Sequence, residues 1–148
     1  MSDTDIINTA QQDFNCISKK RRILSLVLYI VITAVLTQID QITKYIAEQR
    51  LYNKPDFVII KDVLHLTYLR NNGSAFGMFS GKINAFLVLT VIMICLITYV
   101  VLKTPLIRKY IPVYITCIFL AAGAIGNFID RVRLGYVRDL IYFKIINF

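Results

Sequence analysis

Three long apolar stretches interrupt an otherwise basic chain. The first, Ile23 to Ile39 (ILSLVLYIVITAVLTQI), is barely long enough to cross ~30 Å of hydrocarbon unless Asp40 to Ile46 extend the same helix into the interface. The second, Ile83 to Leu102 (INAFLVLTVIMICLITYVVL), has no charged residue, and a helix of ~20 residues matches the bilayer core. The third runs from Pro112 to Ile129 (PVYITCIFLAAGAIGNFI), with Pro112 where a first helical turn tolerates a missing N–H. A soluble fold can bury one such segment as a central helix, but three in 148 residues leave too little polar chain to cover them. The pattern therefore predicts an all-α integral membrane protein, a helical bundle with spans at about 23–43, 83–102 and 112–130.

The connection 44–82 follows a different rhythm. KYIAEQRLYNKP predicts a helix end at the interface, with Tyr45 and Tyr52 as anchors and Pro55 as the stop. In DFVIIKDVLHLTYLRNNGSAFG, β-branched and aromatic residues abound, Leu64, Leu66 and Tyr68 alternate with His65 and Thr67, and Asn72-Gly73 offers a turn. A small extracytoplasmic β-element is expected. His65, the only histidine, has no nearby carboxylate partner in this pattern and is read as structural. RNNGSAFG puts amides, glycines and a hydroxyl at interface depth, where irregular backbone must find partners. Asn71 or Asn72 there ties down a loop, holds a substrate peptide, or simply makes a turn before a helix.

Composition and charge refine this. The chain is 57% hydrophobic yet carries a formal net charge of +8, so its apolar residues are segregated in blocks. Lys19, Lys20, Arg21 and Arg22 precede span one, and Lys103, Arg108 and Lys109 join spans two and three. Both basic clusters assign those ends to the cytoplasm and the 44–82 loop to the outside. Arg131, Arg133, Arg138 and Lys144 then lie outside against the rule, which points to specific work for them. Nucleic acid is excluded as a partner, since the charges flank spans without aromatic-basic interleaving. KKRRILSLVLYIVITAVL has the n- and h-regions of a signal peptide, but TQIDQ follows rather than a small-residue cleavage site, so an uncleaved anchor is expected. Residues 1–22 read as a polar, basic cytoplasmic tail and 23–148 as one membrane domain. Cys16, Cys95 and Cys117 lack paired spacing for a metal or a disulfide framework, and no metal or cofactor is expected.

The densest chemistry is GNFIDRVRLGYVRDL, residues 126–140. Asn127 and Asp130 share a helix face, and Ala121, Ala122, Gly123, Ala124 and Gly126 before them let a helix approach another closely. A buried Asp130 needs a cation, from Arg131 in a two-point pairing or from Lys44. Asp139 arrives beyond Gly135, which permits a turn. Two carboxyls at a membrane edge suggest a pair sharing one proton, one activating water while the other polarises a scissile carbonyl. From the residues alone three readings stay open: a membrane-edge aspartic hydrolase, a transporter or channel with ionisable gating residues, and a structural subunit whose Asp–Arg pairs hold helices together.

Asp40 with Lys44 in DQITK, NNGSAFG at 71–77, GNFIDR at 126–131 and GYVRDLI at 135–141 together resemble lipoprotein signal peptidase, or signal peptidase II, in the same order along the chain. The resemblance covers all but the first ~20 residues. It implies a bacterial inner-membrane aspartic endopeptidase with four spans, both termini cytoplasmic, and an outside β-cradle. The implied substrate is a prolipoprotein whose Cys already carries diacylglycerol, cut just before that Cys, with membrane phospholipid as the surroundings and the oligomeric state left open. It further implies that Asp139 is one of two catalytic aspartates. Asn71, Gly73, Asn127, Asp130, Arg131, Asp40 and Lys44 are then supporting or substrate-binding, with Asp130 bonded to Arg131, which replaces the Asp130–Asp139 pair read from the residues alone. Leu140 stands for a usual Phe, and Ala122 for a common Gly. The family's fourth span opens with an FNxAD motif whose Asp completes the dyad, whereas these residues close on YFKIINF. The expectation is thus either an inactive form, a membrane-embedded structural or lipoprotein-binding remnant, or a chain whose activity returns with that helix.

Overall fold

The computed structural model describes residues 19–73 and 83–143, so the N-terminal tail with Cys16, the SAFG part of the Asn-Gly motif and the segment from Lys144 lie outside the described residues. The first helix, α1, spans Lys19–Leu51. At 1.5 Å per residue it is ~50 Å long, so its last turns project past the hydrocarbon core, further than the expected end near residue 43. Its polarity is inverted relative to a soluble helix: Ser25, Tyr29, Thr33 and Thr37, each four residues on from the last, are buried, while Val27, Leu28, Ile30, Val31 and Val35 are exposed. Only lipid is a good solvent for that outer surface. The buried hydroxyls of Ser25 and Thr37 donate to the carbonyls of Arg22 and Thr33, satisfying them inside the helix.

Helix α2 covers Ile83–Lys103, and after a short 3₁₀ turn at Arg108–Tyr110 helix α3 covers Ile111–Leu134 with Pro112 in its first turn, as expected. The three helices are long and apolar enough to cross a membrane. At the Lys103 end Tyr29, Ile97, Val101, Tyr114, Cys117, Ile118 and Ala121 form one apolar cluster. The Tyr114 hydroxyl donates to Thr104 O at 2.8 Å, closing the end of α2.

At the other end the small residues of α3 meet α1. A Cβ at Gly126 would collide with Asp40 Oδ2 and lie 3.0 Å from its Cγ, so only glycine admits the Asp40 side chain there. Helix α3 stops at Gly135, whose φ of 79° is the left-handed conformation a glycine cap adopts freely, and its N–H donates to Arg131 O. The turn expected at this glycine is real.

The β-element has three antiparallel strands in the order β1-β2-β3: β1 at Phe57–Ile60, β2 at Leu64–Asn71 and β3 at Val137–Phe143. The 44–82 connection supplies only two. The third comes from beyond α3. VRDLIYF is rich in β-branched and aromatic residues, and Gly135 reverses the chain so that this run lies along β2. His65 also differs from expectation: buried, and paired across the strands with Tyr142, it has its Nδ1 3.3 Å from Asp56 Oδ2. Strand alternation cannot reveal a partner nine residues upstream on a bend.

Candidate active site

Two polar assemblies stand where α1, α3 and the sheet converge. The larger is centred on Asp130, which is fully buried. Its Oδ1 accepts from Arg138 Nη2 at 2.7 Å and from Gln41 Nε2 at 3.2 Å. Its Oδ2 accepts the Arg138 backbone N–H at 3.1 Å and lies 3.4 Å from Lys44 Nζ. The expected Asp130–Arg131 bond is therefore corrected: adjacent helical residues diverge by about 100°, whereas Arg138 returns on β3 directly onto the Asp130 face.

Lys44 ties the remaining residues in. Its Nζ is 3.1 Å from Asp40 Oδ2 and donates to Asn127 Oδ1 at 2.9 Å, so Asp40, Lys44, Asn127 and Asp130 form one cluster. Gln41 adds a bond to Gly126 O at 3.1 Å, stitching α1 to α3. From Arg138 the network runs outward to Gln41 Oε1 at 2.9 Å and Glu48 Oε2 at 3.4 Å. The Tyr68 hydroxyl donates to Glu48 Oε1 at 2.9 Å and lies 3.2 Å from the Tyr136 hydroxyl. Burial works against the Arg138 cation, but Asp130 and then Glu48 outweigh it and hold the guanidinium protonated more firmly than usual. Burial also pushes the Tyr68 phenol well above its ordinary range, helped by its bonds to Tyr136 and Glu48.

The smaller assembly holds Asp139. Asn71 folds its side-chain oxygen back onto the Gly73 N–H at 2.9 Å, an Asx turn that fixes the amide. Its Nδ2 is thereby aimed at Asp139 Oδ2, to which it donates at 2.7 Å. Arg131 closes the circuit: its Nη2 makes a long contact of 3.5 Å to Gly73 O, its guanidinium packs 4.8 Å above the Phe86 ring, and the Asp139 charge acts on it. Asn71, Gly73, Arg131 and Asp139 thus gather on one side, and Asp40, Lys44, Asn127 and Asp130 on the other. The Asp130–Asp139 pairing read from the residues alone is not what forms, because Lys44, Gln41 and Arg138 already occupy Asp130.

Gln41, Glu48, Tyr68 and Tyr136 were missed by sequence reasoning, and Arg138 was marked only as a basic residue with unspecified work. A signal existed for two of them: Gln41, Lys44 and Glu48 are spaced three and four apart, which is one face of α1. For Arg138 the charge rule signalled work but no partner, since nothing in VRD tells which way a strand will face.

Comparison with known proteins agrees with this architecture. The family model described as Signal peptidase (SPase) II matches residues 32–148. The lipoprotein signal peptidase of Caldanaerobacter subterraneus subsp. tengcongensis is 44% identical over 115 residues, 78% of this chain and 77% of that protein. That of Enterococcus faecalis is 42% identical over 123 residues, 83% of this chain and 75% of that protein. Among solved structures, a bacterial membrane enzyme determined by the in meso method superposes with a TM-score of 0.65 at 36% identity, covering 80% of this chain and 75% of that one.

Proposed function

The chain belongs to the signal peptidase II family, and on that premise we propose that it is a membrane aspartic endopeptidase. It removes the signal peptide from diacylglyceryl-modified prolipoproteins by cutting before the lipidated Cys. The carrying observation is the 2.7 Å bond from Asn71 to Asp139, on a carboxylate that lies outside the Asp130 network. Asp139, ionised, takes a proton from the attacking water, and a second acid, protonated, polarises the scissile carbonyl. Asn71 orients the Asp139 carboxylate, and Arg131 supplies positive charge beside it.

Asp130 is a poor second acid, because Arg138, Gln41 and Lys44 consume its acceptor sites. By the family resemblance that acid is the Asp of an FNxAD motif at the head of a fourth span. The protein resides in the bacterial inner membrane with its N-terminus cytoplasmic and Asp139 at the outer face, among phospholipid head groups that exposed Arg133 attracts. The transporter reading has no observation in its favour. The binding reading has one: Asp130 is occupied by Arg138, Gln41 and Lys44 and does not pair with Asp139, and without a second acid the site would hold precursor rather than cut it.

The test is a lipidated prolipoprotein presented to purified protein in vesicles, with the 148-residue chain and a form extended by FNxAD and an apolar span. Cleavage before the modified Cys is expected from the extended form and is lost in Asp139→Asn. Precursor binding without cleavage in both forms would replace the peptidase by the binding reading. A cysteine at Tyr136 that labels only from the cytoplasmic side would overturn the orientation.

A further inference from the structure

Side chains alternate along a strand, so Arg138, with Tyr136 just before the strand, lies to one side of β3 while Val137 and Asp139 face the other. The opposing residues of β2 follow suit. Tyr68 meets Tyr136 hydroxyl to hydroxyl, and Asn71 reaches Asp139 from the other face. Asp139 is on the reactive side only because Arg138 is on the opposite one.

The backbone ladder is weak where this matters. Its register is interrupted between Leu66 and Leu69, so Asp139 lies in a short terminal stretch paired only as Leu69↔Asp139, Arg70↔Arg138 and Asn71↔Val137. A slip of one residue there would turn every side chain onto the wrong face. It would also exchange the Arg138 guanidinium for the Asp139 carboxylate, against the buried Asp130 and the half-buried Glu48. Asp130, Glu48 and Asp139 would then crowd together with the guanidinium gone and Lys44, already shared with Asp40, as the cation facing Asp130, an arrangement strongly disfavoured.

We propose that Arg138 is a positioning residue for Asp139: its buried guanidinium, held by Asp130 and Gln41 and reaching Glu48, sets the register of β3 and so presents the neighbouring carboxylate to Asn71. The claim rests on the reading of Asp139 as a reacting group. It asks for arginine specifically, because one planar fork serves partners on α1 and α3 at once, whereas a lysine serves them from a single point. Glu48 is the outer arm of the same clamp.

The experiment uses the full chain in membrane vesicles, with Cys16, Cys95 and Cys117 replaced by alanine. Two cysteine pairs are closed with a mild oxidant. Asn71→Cys with Val137→Cys reads the β2–β3 register beside Asp139, and Phe57→Cys with Leu66→Cys reads β1–β2, which Arg138 does not touch. Arg138→Gln is expected to slow closure of the first pair by roughly tenfold or more while the second stays within about twofold. Arg138→Lys recovers part of the loss, and Glu48→Gln, which leaves the Asp130 pair intact, shows the same pattern at about two- to threefold. Unchanged closure of the first pair, or parallel loss in both pairs as from general unfolding, overturns the proposal. In a form that cleaves, Arg138→Gln is expected to lower kcat by about 100-fold with KM within about twofold, the signature of a displaced reacting group. If Asp139→Asn still cleaves, the reading of Asp139 fails. If Asp139→Asn is dead while Arg138→Gln behaves as wild type in closure and kcat, the positioning role alone fails.

Discussion

Asp130 and Asp139 are the same residue type, nine positions apart, and their surroundings give them opposite tasks. Asp130 has no exposed surface and is bonded by Arg138 twice, by Gln41, and faced by Lys44. Asp139 is half-buried and, among the described residues, takes one hydrogen bond, from Asn71. A carboxylate with all its acceptor sites filled by protein cannot also bind water and pass a proton. One with a single fixed donor is oriented and still has lone pairs to use. The contrast teaches that in a membrane-edge site the most buried, most heavily bonded acid is the anchor, and its less encumbered neighbour is the reagent.

The sharpest way to break this contrast is to exchange each carboxylate for its amide. Asp139→Asn is expected to lower cleavage of a lipidated precursor by about 10²–10⁴-fold while the melting transition hardly moves. Asp130→Asn leaves Lys44 with Asp40 and Arg138 with Glu48 but removes the buried anion they share, and is expected to cost about 3–5 kcal/mol, read as a lowered unfolding midpoint in detergent. If the melting effects came out reversed, the assignment of anchor and reagent would be wrong.

Gly126→Ala probes the anchor from the backbone side. Its new methyl would displace the Asp40 carboxylate from Lys44, and the expected loss of stability is about 1–3 kcal/mol. The smallest effect belongs to the outer rim. The Tyr68 phenol is held neutral in the folded protein, with its titration raised above the ordinary value. The stability it contributes is thus fully present below about pH 10, the unfolded titration, and lost as pH rises toward the folded one. Tyr68→Phe should remove that alkaline dependence, as followed by thermal melts across pH, with a small pH-independent drop below about pH 10 from the lost bonds to Glu48 and Tyr136.

Much of the molecule was legible without coordinates, because the relevant signals are local. Unbroken apolar runs mark spans, Pro112 marks a helix start, Gly135 marks its end, and the alternation around His65 marks a strand. The family motifs likewise named Asp40, Lys44, Asn71, Asn127, Asp130, Arg131 and Asp139 as a set. What the residues could not reveal was who bonds to whom within it. Asp130 was matched with adjacent Arg131, although Arg138 is its partner, and His65 was judged to lack a carboxylate that Asp56 provides.

The sequence by itself thus determined the membrane class, the three long helices, the presence of a small β-element and the roster of polar residues, since periodicity and turn chemistry are written in consecutive positions. Only the tertiary structure decided that β3 joins the sheet, that Arg138 reaches Gln41 across 97 positions, and that Asn71 meets Asp139 across 68. Those choices depend on which faces of distant elements come together, and contact between distant elements leaves no period in the chain.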